Sequence, residues 1–162
     1  MPKVIKPTWI LALALISAAF APSVASAQDA KPLCREPTRA CVEKTVRAYF
    51  DGLLKADGAA VPFASDVRVT EQGSVLLTSR AAFLSAFKAS SATKGFRNVR
   101  MVVDEKAGEA AIFMLADVRP DNGEKPYTVR RAQRMKIVNG LITEVELLIY
   151  VDQNPAALWP DK

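Results

Sequence analysis

The spacing of apolar residues changes from a helical to a strand period near residue 60. Between residues 42 and 53, side chains recurring at three- and four-residue intervals predict one buried helix face, made by Val42, Val46, Tyr49, Phe50 and Leu53. From residue 66 to residue 71 the period is two, so Val67, Val69 and Glu71 share one side of a predicted strand. A phenol on a core-facing helix and a carboxylate at the end of an apolar stripe indicate a candidate pocket.

The remaining segments predict one more helix and then strands only. The first helix is predicted from about Arg39 to Ala56, followed by a helical turn over 59–64, and Ser79 is placed to cap a helix over 80–90. Strands are predicted at 66–71, 74–77, 100–103, 110–118, 127–138 and 141–151, with Asn139-Gly140 turning the last hairpin. Helices followed by a meander of strands are typical of an α+β fold. We expect a cone of N-terminal helices wrapped by a curved, mostly antiparallel sheet with an internal pocket.

The first 27 residues have the pattern of a signal peptide. Lys3 and Lys6 precede an apolar run that ends at Ala21, and Ala25-Ser26-Ala27 fits a signal-peptidase site. Cleavage after Ala27 predicts a periplasmic or secreted protein with no stable membrane anchor. A retained anchor is disfavoured because Pro22 ends the run short of the ~20 residues that a membrane span needs.

Cleavage leaves 135 of the 162 residues, the size of one domain. We assign residues 28–38 to a lead-in, 39–153 to the domain and 154–162 to a C-terminal tail. Cys34 and Cys41 are the only cysteines, and in an exported chain they are expected to form a disulfide that tethers the lead-in. A redox-active pair is the alternative, although catalytic dithiols usually lie two residues apart.

Charge and absent residue types exclude several classes of protein. Without Lys3 and Lys6 the chain has 20 basic and 17 acidic residues, and a net charge of +3 is too small to indicate a nucleic-acid partner. The absence of histidine excludes Ser-His and Cys-His nucleophiles and His-bearing zinc sites, and two cysteines cannot form an all-thiolate site. We therefore expect neither cofactor nor metal. Any acid–base chemistry must use Glu, Asp, Tyr or Lys.

The chain resembles the nuclear transport factor 2-like superfamily, and within it the SnoaL-like and steroid delta-isomerase-like members with a cystatin-like cone. The motifs that carry this resemblance are Tyr49 eight residues before Asp57, Phe63-Ala64-x-Asp66, the carboxylate of Glu71, Gly108-Glu109-Ala110-Ala111 and Asn139-Gly140-x-Ile142. The resemblance implies the fold, but the superfamily holds isomerases, dehydratases, epoxide hydrolases, ligand binders and non-catalytic partners.

Roles for three residues follow from the resemblance. In ketosteroid isomerases the tyrosine matching Tyr49 donates a hydrogen bond to a developing oxyanion, and the acid matching Glu71 moves a proton between neighbouring carbons. A second, protonated acid completes that oxyanion hole, and its position falls on Gln133. An amide donates a weaker hydrogen bond than a neutral carboxylic acid does, so Gln133 departs from the ketosteroid isomerase pattern.

The strand predicted over 127–138 gives an independent view of the same pocket. Its alternation puts Arg131 and Gln133 on the side of Met135 and Ile137, which is the side facing the core. Polar groups that face a core need partners. Glu71 and Arg131 could therefore form an ion pair with no catalytic role, and Tyr49 could be a core residue with its hydroxyl at the rim.

Two functions remain open from the sequence. In the first, the protein is a cofactor-independent isomerase, dehydratase or hydrolase acting on a small apolar substrate, with Glu71 as general base and Tyr49 and Gln133 polarising an oxygen. The residues expected to bind the ligand are Arg131, Phe63, Phe113 and Met135. In the second, it is a non-catalytic periplasmic ligand-binding or protein-interaction module. Outward apolar residues of the last strand, Leu148 and Tyr150, also predict a homodimer through the convex sheet face.

Overall fold

The computed structural model describes residues 30–36, 38–87, 92–120 and 124–151. The predicted signal peptide, the predicted tail at 154–162 and the end of the helix predicted over 80–90 lie outside these ranges. Within them, helices α1 and α2 and strands β1 to β6 occur in the predicted order, and the fold class is α+β as expected. The elements are α1 Arg39–Lys55, a 3-10 turn Gly58–Ala60, β1 Phe63–Glu71, β2 Ser74–Leu77, α2 Arg80–Phe87, β3 Thr93–Asp104, β4 Glu109–Val118, β5 Tyr127–Val138 and β6 Leu141–Val151.

The strands form one curved, unclosed sheet in the order β2-β1-β6-β5-β4-β3. Neighbouring strands are antiparallel except β1 and β6, which run parallel. At the β5–β6 turn, Asn139 (φ 51°) and Gly140 (φ 74°) both adopt left-handed backbone conformations, as a tight two-residue hairpin turn requires. The last hairpin thus lies where the sequence predicts it.

Helix α1 begins and ends through local hydrogen bonds. The Thr38 side chain accepts a hydrogen bond from the Cys41 backbone N–H at 3.2 Å and caps the first turn. The helix ends one residue before the predicted Ala56, because Ala56 is left-handed (φ 52°) and its N–H bonds to carbonyls of the last turn. Asp57 then caps the 3-10 turn, because its side chain accepts a hydrogen bond from the Ala60 N–H.

Two strands begin earlier than the sequence predicts. The segment 59–64, expected to be a helical turn, is helical only to Ala60, and β1 begins at Phe63. The cause is tertiary, because the Pro62 carbonyl accepts a hydrogen bond from the Ile142 N–H of β6 at 2.8 Å. Strand β3 begins at Thr93, and its register shift around the left-handed Asn98 (φ 53°) interrupts the alternation by which a strand is recognised.

The core fills the space between α1 and the concave face of the sheet. Its helical side is the predicted apolar face, in which Val42 and Val46 are at most 1% exposed. The fully buried side chains of the sheet that complete it are Phe63, Val67, Ile112, Met114, Met135 and Ile142. Each such apolar side chain contributes about 1.5–3 kcal/mol of burial free energy, so this layer holds the helix over the sheet.

The outer face of the sheet carries an ionic cluster centred on Arg134. Its guanidinium donates to carboxylates of Glu109 at 3.1 Å, Glu144 at 2.7 Å and Glu146 at 3.2 Å. The hydrogen bond with Glu144 raises the pKa of Arg134, and the same bond lowers the pKa of Glu144. Since these groups are well exposed to solvent, each pair contributes at most about 1 kcal/mol.

The predicted Cys34–Cys41 disulfide is present, with Cα atoms 5.7 Å apart. The lead-in that carries it also contacts the sheet directly. The Ala30 N–H donates to the Phe63 carbonyl at 3.1 Å, and Gly140 lies so close to Cys34 that a Cβ there would overlap the Cys34 carbonyl oxygen. The lead-in therefore packs beside β1 and the β5–β6 turn.

We expect the disulfide to be formed in protein recovered after export and to be dispensable for the core. The loop that it closes is short, and a bridge of this size contributes about 2.5 kcal/mol. The Cys34→Ser, Cys41→Ser double variant should therefore lose about that much free energy of unfolding and still fold. Intact-mass analysis after alkylation, with and without reductant, tests the pairing, and two freely alkylated thiols in the non-reduced protein would contradict it.

Candidate functional site

A cavity of about 280 Å³ lies between the helices and the concave face of the sheet. Its polar lining residues are Tyr49 from α1, Glu71 from β1, Thr93 from β3 and Arg131 from β5. The other lining residues are apolar: Leu53, Phe63, Val69, Leu76, Leu77, Phe83, Ala86, Leu147 and Ile149. Its volume lies just below the ~300–1,000 Å³ range of ligand sites, and most of its lining is apolar.

Tyr49 is held by aromatic packing and by one charged hydrogen bond. It is 3% exposed, and its ring meets the rings of Phe50 and Phe63 edge-on at centroid distances of 5.2 and 5.9 Å. Its hydroxyl oxygen accepts a hydrogen bond from Arg131 Nη2 at 2.9 Å. Because an arginine can only donate, the Tyr49 hydroxyl keeps its own proton for another partner.

Arg131 reaches the cavity because β5 alternates as predicted. Val129, Gln133, Met135 and Ile137 are buried on the same side of the strand. The Arg131 side chain is half-buried, and its Nε is buried without a hydrogen-bond partner in the described part of the chain. The guanidinium is therefore only partly satisfied by Tyr49.

Glu71 ends the inward stripe of β1 and lines the same cavity. It is half-buried, next to Val69, and the β1–β2 turn begins directly after it. Across residues 30–36, 38–87, 92–120 and 124–151 it forms no ion pair, with Arg131 or any other cation. The alternative of an inert Glu71–Arg131 pair therefore does not describe this structure.

Gln133 and Met135 lie deeper than the cavity wall. Gln133 is 3% exposed, and within the described residues neither amide atom has a hydrogen-bond partner. It sits two residues from Arg131 on the same strand face and pairs with Leu147, which lines the cavity. Met135 is fully buried in the core and is absent from the cavity wall.

The two phenylalanines expected to bind the ligand lie on opposite faces of the sheet. Phe63 lines the cavity and packs edge-on against Phe83 with ring centroids 4.5 Å apart. Phe113 is 41% exposed on the outer face, since its neighbours Ile112 and Met114 take the buried positions of β4. Strand β4 is apolar on both faces, so its alternation gave no signal of which side faces the cavity.

Several cavity residues were not singled out from the sequence. Leu147 and Ile149 could have been found, because they alternate inward along β6 with Val145. Leu76 on β2 and Thr93 on β3 could not, since a short edge strand and an irregular strand carry no clear period. Their positions depend on how the sheet curves over the helices.

A second, larger groove of about 560 Å³ lies on the outer face of the sheet. Arg131 and Ile149, which also line the concave cavity, line this groove too. The rest of its wall consists of Gln72, Phe113, Arg130, Ala132, Leu148 and Tyr150, and no carboxylate of the described chain lines it. General-base chemistry needs a group that can accept a proton. The smaller concave cavity, with Glu71 and Tyr49 together, is therefore the candidate catalytic or binding site.

The described residues contain neither a metal-binding cluster nor a membrane-spanning helix. Among them, no group of three or more Cys, Asp or Glu side chains is placed to hold a metal ion. None of the helices in these same ranges is long and apolar enough to cross a membrane.

The fold is the cone of the nuclear transport factor 2-like proteins, which confirms the resemblance seen in the sequence. A candidate polyketide cyclase from Xanthomonas campestris aligns over 68% of this chain and 90% of its own, with 20% identity and a TM-score of 0.59. A nuclear transport factor 2-like protein from Burkholderia xenovorans aligns over 70% and 92%, with 13% identity and a TM-score of 0.59. An LEH-like epoxide hydrolase from Mycobacterium tuberculosis aligns over 68% and 84%, with 13% identity and a TM-score of 0.58. At these identities the likeness shows the fold alone.

A sequence family also matches the chain. A family described as a domain of unknown function, DUF8021, matches residues 35–149. The chain belongs to this family, and the matched part runs from the disulfide-bearing lead-in into β6. No curated protein matches the chain.

Glu71→Gln tests whether Glu71 is free in solution as it is in the structure. The change keeps the shape and removes the charge, and because no ion pair is lost we expect the free energy of unfolding at pH 7 to change by less than about 0.5 kcal/mol. Chemical denaturation followed by circular dichroism measures it. Glu144→Gln is the matched control, since it does break an ion pair with Arg134 and should cost up to about 1 kcal/mol.

A loss of about 3–5 kcal/mol in Glu71→Gln would reveal a buried ion pair with Arg131. That result would contradict the assignment of Glu71 as a free carboxylate.

Proposed function

We propose that this is an exported enzyme that moves a proton on a small, mostly apolar substrate without a cofactor, as an isomerase, dehydratase or hydrolase. Glu71 serves as the general base, and the Tyr49 hydroxyl polarises an oxygen of the substrate. The observation that carries this proposal is that Glu71 and the Tyr49–Arg131 pair line one cavity without an ion pair between Glu71 and Arg131.

The chemistry needs a base and a hydrogen-bond donor that act on neighbouring atoms of one substrate. For an isomerisation, Glu71 removes a proton from a carbon beside a carbonyl, and the electron pair moves onto the carbonyl oxygen. The Tyr49 O–H donates to that oxyanion, and the Arg131 charge behind the hydroxyl strengthens this donation. Return of the proton from Glu71 to a different carbon completes the isomerisation.

In a hydrolase, Glu71 and Tyr49 would keep these roles, but the proton that Glu71 removes would come from water. Glu71 would take the proton of an attacking water, while Tyr49 donates to the leaving oxygen. Gln133 lies behind the cavity wall in this structure. We therefore propose that Tyr49 alone donates the hydrogen bond to the substrate oxygen and that Gln133 takes no part in the catalytic step.

Structural relatives supply precedent for chemistry on this fold. The Xanthomonas campestris protein is described as a candidate polyketide cyclase, and the Mycobacterium tuberculosis protein as an epoxide hydrolase. Both descriptions concern small-molecule reactions in a fold that places a cavity between helices and a curved sheet. For the compartment, the signal-peptide pattern and the Cys34–Cys41 disulfide support export to the periplasm or the medium.

The second candidate is a ligand-binding module with no chemistry. It is favoured by the partial satisfaction of Arg131, whose role could be to hold a ligand rather than to assist a donor. The two candidates differ in one respect, because only the enzyme needs the proton-accepting capacity of Glu71.

We expect native mass spectrometry of protein recovered from the periplasm to show a co-purified small molecule. Incubating that molecule with wild-type protein in D₂O should then convert it, and an isomerisation should also leave deuterium on carbon because the proton held by Glu71 exchanges with solvent. Glu71→Gln should abolish conversion while still binding the molecule. Glu146→Gln, which changes a carboxylate on the outer face, is the matched control and should convert it normally. Binding without conversion in the wild type would favour the binding module.

We also propose that the outer sheet face pairs two copies of this chain. Phe113, Ala132 and Leu148 lie directly across β4, β5 and β6 from one another and form an apolar row, with Tyr150 63% exposed beside it. Arg134 and Lys136 on β5 neighbour Glu146 and Glu144 on β6. A two-fold axis through this face would set each basic column against the partner's acidic column.

Leu148→Glu puts a charge in the centre of that row and should convert a dimer to a monomer. Sedimentation velocity at micromolar concentration measures the change. The matched control is Leu54→Glu, because Leu54 is 44% exposed on α1, on the other layer of the fold, and should leave the dimer intact. A monomeric wild-type protein would refute the pairing.

A further inference from the structure

In and directly behind the cavity wall, β5 carries buried hydrogen-bonding groups that the described residues do not satisfy. Arg131 Nε and both amide atoms of Gln133 are buried, and across the described residues none has a partner. A buried polar atom without a hydrogen bond is unfavourable, so such atoms in native proteins usually meet a bound molecule or water. Three of them on adjacent inward positions of one strand indicate a recognition subsite.

The position of Gln133 places this subsite next to the open cavity. Arg131, which lines the cavity, is two residues away on the same face of β5, and Leu147, which also lines it, is the direct cross-strand partner of Gln133. Gln133 is itself 97% buried, since 3% of it is exposed. A ligand that extends one residue deeper than the present wall would meet its amide.

The unpartnered atoms are mostly donors, and the nearby charge is positive. Arg131 Nε and the Gln133 amide nitrogen donate, whereas only the Gln133 oxygen accepts. The Arg131 guanidinium donates to the Tyr49 hydroxyl and bonds to no carboxylate of the described chain. A half-buried cation of this kind binds most favourably to an anion that accepts several hydrogen bonds.

We infer that the ligand of this cavity carries a carboxylate on an apolar body, and that Arg131 and Gln133 bind this carboxylate. This inference rests on the proposed function only because it uses the same cavity, and it specifies the chemical class of the ligand. The apolar walls from Phe63, Val69 and Ile149 contact the body of the ligand. Glu71, at the end of β1, then lies near the body and not at the carboxylate end.

Matched pairs of small probes test this class directly. We would titrate protein recovered from the periplasm with 3-phenylpropionate, cyclohexanecarboxylate and octanoate, each beside its primary amide, by isothermal titration calorimetry at pH 7. We expect at least one carboxylate to bind about tenfold more tightly than its amide, because a charged acceptor strengthens the bond to Arg131. No preference for the carboxylate in any pair would overturn the inference.

Variants then locate the subsite. Arg131→Met should abolish the preference for the carboxylate and Arg131→Lys should restore part of it, whereas Arg130→Met, the same change one residue away on the outer face, should leave it unchanged. Gln133→Leu should weaken carboxylate binding. An unchanged affinity in Gln133→Leu would mean that the amide is satisfied by water alone, and it would remove Gln133 from the subsite.

The same titrations separate this inference from the proposed chemistry. Glu71→Gln should bind the carboxylate at least as tightly as the wild type, because a negative charge leaves the cavity. Carboxylate binding that persists in Glu71→Gln while no substrate is converted by the wild type would uphold the subsite and reject the enzyme. Conversion of an uncharged substrate, with no carboxylate preference, would do the reverse.

Discussion

The packing of α1 on the concave face of the sheet positions Tyr49 against Arg131 in the candidate site. Val42 and Val46 are almost fully buried against the sheet, and they fix the rotation of the helix about its own axis. That rotation directs Tyr49, one turn further along, toward β5, where it meets Arg131 at 2.9 Å. The buried apolar contacts thus supply most of the free energy that holds α1 on the sheet, and the Tyr49–Arg131 hydrogen bond fixes the orientation of the two side chains.

The Tyr49–Arg131 bond has a consequence for the electrostatics of the cavity. An arginine that faces a core is expected to form an ion pair with a nearby carboxylate, and Glu71 lines the same cavity as Arg131. In this structure the Tyr49 hydroxyl accepts a hydrogen bond from the guanidinium, and Glu71 forms no ion pair with Arg131. One interaction between a helix and a strand thereby accompanies a carboxylate and a partly satisfied guanidinium that line a single small cavity.

The alternation of side chains along each strand gives the two faces of the sheet different properties. Along β5 the inward residues Arg131 and Gln133 face the cavity side, whereas Arg130 and Arg134 face outward. Arg134 is neutralised by three carboxylates there, so the outer face combines an ionic cluster with an apolar row. A shift of one residue in the register of β5 would exchange these two sets and destroy both surfaces.

The sequence by itself determined the features that depend on local periodicity: helix α1 and its buried face, the β5–β6 hairpin, the inward direction of Arg131 and Glu71, and the Cys34–Cys41 pair. The helix face and the inward directions follow from the spacing of side chains along a single element, the hairpin follows from its Asn-Gly turn, and the disulfide follows from the presence of only two cysteines in a chain predicted to be exported. Tertiary structure alone decided that Arg131 bonds to Tyr49 and not to Glu71, that Phe113 lies outside, and that Gln133 is buried behind the wall. Each of these depends on how distant strands align and curve, and the periodicity of one segment carries no information about the separation between two. The early start of β1 has the same origin, since its hydrogen-bonding partner at Ile142 lies at the other end of the chain.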